Sequence, residues 1–125
     1  MPAFSPNSVI LYVSDVEAST EFYRSVLGTE PLETFEGFAV FALSDTITLG
    51  LQAADQIDPK AEPHIGGSEL SLSDVDRETV DQLYAAWTAA DVPIALEPTE
   101  LAFGYTFVAT DPDGHRLRVC ATDTT

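Results

Sequence analysis

Few side chains in this sequence can act together as nucleophiles, bases or metal ligands. There is one cysteine, Cys120, one lysine, Lys60, and a pair of histidines, His64 and His115, beside 21 carboxylates. A lone cysteine makes neither an intramolecular disulfide nor, by itself, a zinc site. Cys120 falls near the end of an apolar strand, where packing is the ordinary role. The chain has no Gly-x-Ser-x-Gly elbow and no phosphate-cradling glycine loop, so neither acyl transfer nor nucleotide chemistry is indicated. His64 lies in a proline- and acid-rich stretch and reads as a solvated loop residue. His115 follows a turn glycine and reads as exposed. No catalytic residue is assigned. What remains is an aromatic supply, Tyr12, Phe35, Phe38, Phe41, Phe103, Tyr105 and Phe107, on or beside apolar strands. Alternation along a strand sends neighbours to opposite faces, dividing this set between the core and an open face.

The elements that must position these residues follow from pattern. Ser8-Val9-Ile10-Leu11-Tyr12-Val13 is a strand, apolar enough to suggest cover on both faces. Ser14-Asp15-Val16-Glu17 fits a capping box. The helix after it places Val16, Ser19, Phe22, Tyr23, Val26 and Leu27 on one side and ends at Gly28. Three shorter strands are expected over 31–36, 38–43 and 48–52. The stretch 53–66 has neither period and reads as a linker. A second strand–helix unit begins near Glu69, with Val80, Leu83, Tyr84 and Trp87 on one helical face, where Trp87 reads as helix-to-sheet core. Residues 93–97 form a short strand and 98–103 a loop. The last two strands are a hairpin, Tyr105–Thr110 and Arg116–Val119, turned by Asp111-Pro112-Asp113-Gly114.

The order βαβββ thus occurs twice. The helical tyrosines Tyr23 and Tyr84 are 61 residues apart, and Phe41-Ala42-Leu43-Ser44 resembles Phe107-Val108-Ala109-Thr110. An internal repeat of this size implies two copies of one unit, each too small for a good core alone. Residues 1–125 are therefore read as one domain of two repeats, 8–52 and 67–121, joined by 53–66.

The formal net charge is −16, from 21 acidic and five basic residues. A field of that sign repels nucleic acid and anionic lipid, which are set aside as partners. It fits either a solvated surface suited to a salty cytoplasm or the steering of a cationic ligand. No leader pattern and no membrane-spanning apolar run is present, so the cytoplasm is the expected location.

Val13-Ser14-Asp15-Val16-Glu17-Ala18-Ser19 with Phe22-Tyr23 and Leu27-Gly28, taken with Asp111-Pro112-Asp113-Gly114-His115-Arg116-Leu117, resembles the vicinal oxygen chelate superfamily. That group includes glyoxalase I, extradiol dioxygenases, fosfomycin-resistance enzymes and bleomycin-resistance proteins. The resemblance covers about Ser8 to Cys120 and implies an α+β fold in which two βαβββ modules curl into an open cleft, commonly in a homodimer. It also implies where a divalent metal would be held in the metal-dependent members, by His, Glu or Gln on the first and last strand of each module. The corresponding positions here are Ser8, Gly50, either Glu69 or Gly67 according to the alignment chosen, and Arg118. One carboxylate and one cation do not make a metal site, so no metal or other cofactor is expected. Glu69 and Arg118 are instead expected to pair, unless both are simply solvated.

Gly66-Gly67-Ser68-Glu69-Leu70-Ser71 and Phe103-Gly104-Tyr105-Thr106-Phe107 resemble the metal-free, drug-binding branch, whose members hold a planar or cationic antibiotic between aromatic rings. The expectation is a small-molecule binding protein that sequesters an aromatic or amphipathic compound. Tyr12, Phe41, Phe103 and Tyr105 would be its walls and Ser8, Glu69 and Arg118 its polar anchors. Enzymatic activity stays open and the balance leans against it. The alternatives are a metal-dependent lyase, transferase or dioxygenase, and a non-catalytic scaffold or regulatory subunit.

Overall fold

In the computed structural model, which describes residues 3–56 and 68–122, the βαβββ order is found twice. The chain divides into two compact units, Met1–Pro63 and His64–Thr125. The first contains β1 (Ser8–Val13), α1 (Val16–Leu27), β2 (Glu33–Phe35), β3 (Phe38–Ala42) and β4 (Thr48–Ala53). The second contains β5 (Glu69–Leu72), α2 (Arg77–Ala89), β6 (Ile94–Leu101), β7 (Gly104–Thr110) and β8 (Arg116–Thr122). Each unit is a four-stranded mixed sheet, ordered β1-β4-β3-β2 in the first and β5-β8-β7-β6 in the second. In both, the opening strand lies at one edge and runs parallel to the last, because the helix and the two intervening strands form the crossover between them. The expected linker 53–66 starts with the last residue of β4 and a short 3₁₀ turn, Ala54–Gln56. The rest of it, with Lys60 and His64, lies outside the described residues, as does Gly67.

Local chemistry explains the helix ends. Asp15 caps α1, accepting the Ala18 N–H at 3.1 Å, so the capping residue is Asp15 rather than the Ser14 expected from the box pattern. A carboxylate one residue later serves the same unsatisfied N–H groups. Gly28 closes α1 in the left-handed conformation, at φ 67°, where its N–H reaches the Arg24 carbonyl. Asp76 caps α2 and accepts both the N–H and the hydroxyl of Thr79, at 2.8 and 2.6 Å. The hydroxyl bond, then the N–H, holds the Asp76 carboxyl below its usual range.

The core of each unit lies between its helix and one face of its sheet. In the first, Tyr23 meets Phe41 at 6.5 Å between ring centroids, with Leu11, Val13, Leu49 and Leu51 buried around them. In the second, Phe107 takes Tyr84 and Trp87 edge-on, at 5.4 and 5.5 Å. Trp87 is thus helix-to-sheet packing, as expected.

Two elements differ from the sequence reading. β6 continues through Pro98 to Leu101, where a loop was expected. Its pairing with β7 shifts register between Ile94 and Leu96 and again between Leu96 and Thr99. An edge strand with such irregularities tolerates a proline that a central strand would reject. β1 is buried only at Leu11 and Val13, and Ile10 and Tyr12 keep 43% and 41% of their surface. The apolar run therefore reflects one buried face and one exposed apolar face.

Two measurements check this packing. Phe107→Ala removes the ring that both helical aromatics touch, and urea denaturation is expected to show a loss of about 3–5 kcal/mol. Because the folded-state pKa of Asp76 is depressed, its stabilising contribution is present above the unfolded value, near 4, and is lost as pH falls through the folded one. The gap in urea midpoint between wild type and Asp76→Ala is accordingly expected to narrow on acidification through that window.

Candidate functional site

Each sheet has a face turned away from its helix, and strand alternation decides which side chains stand on it. In the first unit, Tyr12, Gln52, Phe38 and Phe35 stand opposite one another across the four strands. The neighbouring row is Ile10, Gly50, Val40 and Glu33. Ser8 begins β1 on the same face and shares a 2.7 Å hydrogen bond with the Thr48 hydroxyl. Gly50 is enclosed by its own face: a Cβ there would come within 2.6 Å of Ile10 Cδ1 and 2.9 Å of Phe38 Cζ. Gly50 thus offers no ligating atom, and its immediate neighbours on this face are the hydrocarbon ends of Ile10 and Phe38.

Tyr12 therefore stands on the face away from α1. Phe41 does not: it is fully buried on the opposite face, against Tyr23. The aromatic residues of this face that were not selected are Phe35 and Phe38. Parity from Tyr12 through its strand partner Gln52 to Phe38 is what places them together.

In the second unit, the face away from α2 carries Glu69 and Ser71 of β5, Arg116 and Arg118 of β8, and Thr106 and Val108 of β7. Glu69 and Arg118 pair, with Arg118 Nε donating to Glu69 Oε2 at 3.4 Å. A second guanidinium N–H, on Nη1, donates to Thr106 Oγ1 at 3.2 Å. Thr106 is fully buried, and its hydroxyl in turn donates to the Val119 carbonyl at 2.8 Å, which fixes the oxygen that Arg118 uses. The Arg118 guanidinium carbon lies 5.2 Å from the centroid of the Phe103 ring, in the turn between β6 and β7. Ser71 bonds Ser73 at 2.8 Å. Glu69, Arg118 and Phe103 are thus brought together, and Thr106 joins them as a residue that had no signal of its own in the sequence.

Tyr105 belongs elsewhere. It shares the parity of Phe107, so it faces α2, where its hydroxyl donates to Asp81 Oδ1 at 2.6 Å. The Arg77 guanidinium, ion-paired to Glu100, lies 4.1 Å over its ring. The bond to Asp81 pushes the Tyr105 phenol above its usual range, and the bond to Glu100 does the same for Arg77. These contacts tie the sheet to the helix and make Tyr105 a packing residue rather than a wall of the open face.

The remaining titratable candidates are structural. His115, expected to be exposed, is only partly so: its ring Nδ1 lies 2.9 Å from Asp111 Oδ2. The other Asp111 oxygen accepts the backbone N–H groups of Asp113 and His115, at 2.9 and 2.8 Å. A nearly buried carboxylate organises the hairpin turn in this way, and the histidine ring is part of it. Cys120 is buried.

The positions implied for a metal do not fit one. Ser8 is bonded to Thr48, Gly50 has neither a ligand nor room for one, Glu69 is engaged by Arg118, and Arg118 is a cation. Among the described residues no group of three or more His, Cys, Asp or Glu side chains converges on a common point. No helix among them is long and apolar enough to cross a membrane.

Comparison with known proteins agrees with this architecture. Phenazine antibiotic resistance protein EhpR of Enterobacter agglomerans is 35% identical over 126 residues, which cover 98% of this chain and 95% of that protein. A protein of Agrobacterium tumefaciens, solved by solution NMR, is 40% identical, with a TM-score of 0.82 over 97% of this chain and 99% of that one. Lactoylglutathione lyase from Agrobacterium tumefaciens, at 21% identity, has the same fold, with a TM-score of 0.76 over 96% of this chain and 95% of that one. The family model described as Glyoxalase/Bleomycin resistance protein/Dioxygenase superfamily matches residues 5–119, from before β1 into β8 and so across both modules, and the chain belongs to that superfamily.

Proposed function

We propose that this protein captures a small flat aromatic molecule without transforming it, as a resistance protein of the sequestering kind, and does so without a metal. The observation that carries the reading is the character of the positions that the family resemblance implies for a metal. Gly50 is sealed by Ile10 and Phe38, while Arg118 is held by Glu69 and Thr106 beneath the Phe103 ring. Similarity to a phenazine antibiotic resistance protein over nearly the whole of both chains supports the same class of ligand. In the second unit Phe103 is the aromatic wall and Arg118, with Glu69 beside it, the polar anchor. In the first, Tyr12, Phe35 and Phe38 are the rings on the face away from α1 and Ser8 is a polar group on it, while Phe41 and Tyr105 pack toward the helices. A ring laid on such side chains gains from stacking and from apolar area removed from water.

We place the protein in the cytoplasm as a homodimer. Its single cysteine is buried and can form no disulfide within the chain, which suits a reducing compartment. The exposed apolar side chains Ile10, Tyr12 and Phe35 on one sheet face favour association with a second copy.

Titration with unsubstituted phenazine, followed by quenching of Trp87 fluorescence or by calorimetry, is expected to show saturable binding and to return phenazine chemically unchanged. Phe103→Ala is expected to weaken it by about 0.5–1.5 kcal/mol beyond the loss of contact area. Recovery of an altered compound would replace capture by catalysis. Light scattering is expected to give twice the chain mass, and a monomer at high concentration would remove the dimer.

A further inference from the structure

We infer that the molecule captured at the Arg118–Phe103 face is an aromatic carboxylate, with its carboxylate on the Arg118 guanidinium and its ring beside Phe103. The inference rests on the capture reading and names its ligand class. It runs against the simplest use of the overall charge, which would steer a cation.

The guanidinium is poorly satisfied by its own chain. It carries five N–H donors in a planar fork. Among the described residues, one donates to Glu69 at 3.4 Å and one to Thr106 at 3.2 Å, and the others have no acceptor. An arginine committed to an internal carboxylate is commonly bidentate at about 2.7–2.9 Å. The Glu69 contact is single and long, and Glu69 is the more exposed partner, at 39% against 17% for the Arg118 side chain. Arg118 is therefore anchored by the buried Thr106 and only loosely neutralised, leaving N–H groups for a planar acceptor.

The local charge has the same sense. Arg116 stands on the same face, opposite Glu69 in the β5–β8 register, and makes no ion pair among the described residues. Two guanidiniums thus face one carboxylate on this pair of strands, in a chain of net charge −16. An anion is attracted there and a cation repelled, whatever the distant surface does, because nearby charges dominate once salt screens the rest. Phe103, 45% exposed and 5.2 Å from the guanidinium carbon, supplies an aromatic surface beside the charge. Flat ring and flat acid group are what the two side chains can hold together.

The test compares phenazine-1-carboxylate with phenazine-1-carboxamide, which share a ring system and differ in charge, on the full chain at fixed salt. The acid is expected to bind about 10- to 100-fold more tightly than the amide. Arg118→Ala is expected to abolish that preference and Arg118→Lys to keep part of it. Glu69→Gln, by removing the internal competitor, is expected to tighten the acid by about two- to fivefold and leave the amide unchanged. A gain of this kind cannot come from a damaged fold. Equal affinities for acid and amide, or a preference that survives Arg118→Ala, would overturn the carboxylate assignment while leaving capture intact. If neither compound binds the wild-type chain, the capture reading fails and this inference with it.

Discussion

A four-stranded sheet with a single helix buries one of its faces, and the pleat then assigns every side chain on every strand to the core or to the other face. That constraint governs both units of this protein. Tyr23 on Phe41 and the pair Tyr84 and Trp87 on Phe107 fix which face is the core. Once Phe107 is committed to the helix, Tyr105 and Ala109 go with it, and Thr106 and Val108 are turned the other way. Their cross-strand partners Cys120 and Arg118 follow. The position of the one arginine on which the functional reading turns is thus a consequence of where a phenylalanine packs.

Charge is distributed with the same economy of means. Arg24 is ion-paired to Glu21 and Glu30, and Arg77 to Glu100, so two of the four arginines are tied to nearby carboxylates at the two helices. Arg116 and Arg118 are both on β8 and share a face, where Glu69 pairs with Arg118. A strongly acidic protein can therefore present a locally cationic surface, because the electrostatics of a partly buried group depend on neighbours within a few ångströms and hardly on screened charges further away.

The positions that the family resemblance implies for a metal differ in character between the two faces. At Gly50 no ligating atom is present, and the adjacent Ile10 and Phe38 occupy the volume that one would need. At the second face the side chain is a cation, Arg118, and a neutral hydroxyl, Thr106, holds it.

The sequence by itself determined the repeated βαβββ order, both helices, the Asp-Pro-Asp-Gly hairpin and the superfamily, because these rest on local signals: period, caps and turn residues. It left Glu69 and Arg118 either paired or solvated, and the structure pairs them. The repeat even held an unused clue, since Phe41 aligns with Phe107 and so shares its role beneath the helix. Only the tertiary structure decided that Phe41 and Tyr105 are packing residues, that Phe35 and Phe38 stand with Tyr12, that β6 runs through Pro98, and that Thr106 anchors Arg118. Each of these depends on register between strands distant in sequence. A shift of one residue in such a register exchanges the two faces, and nothing in a single strand's composition fixes it.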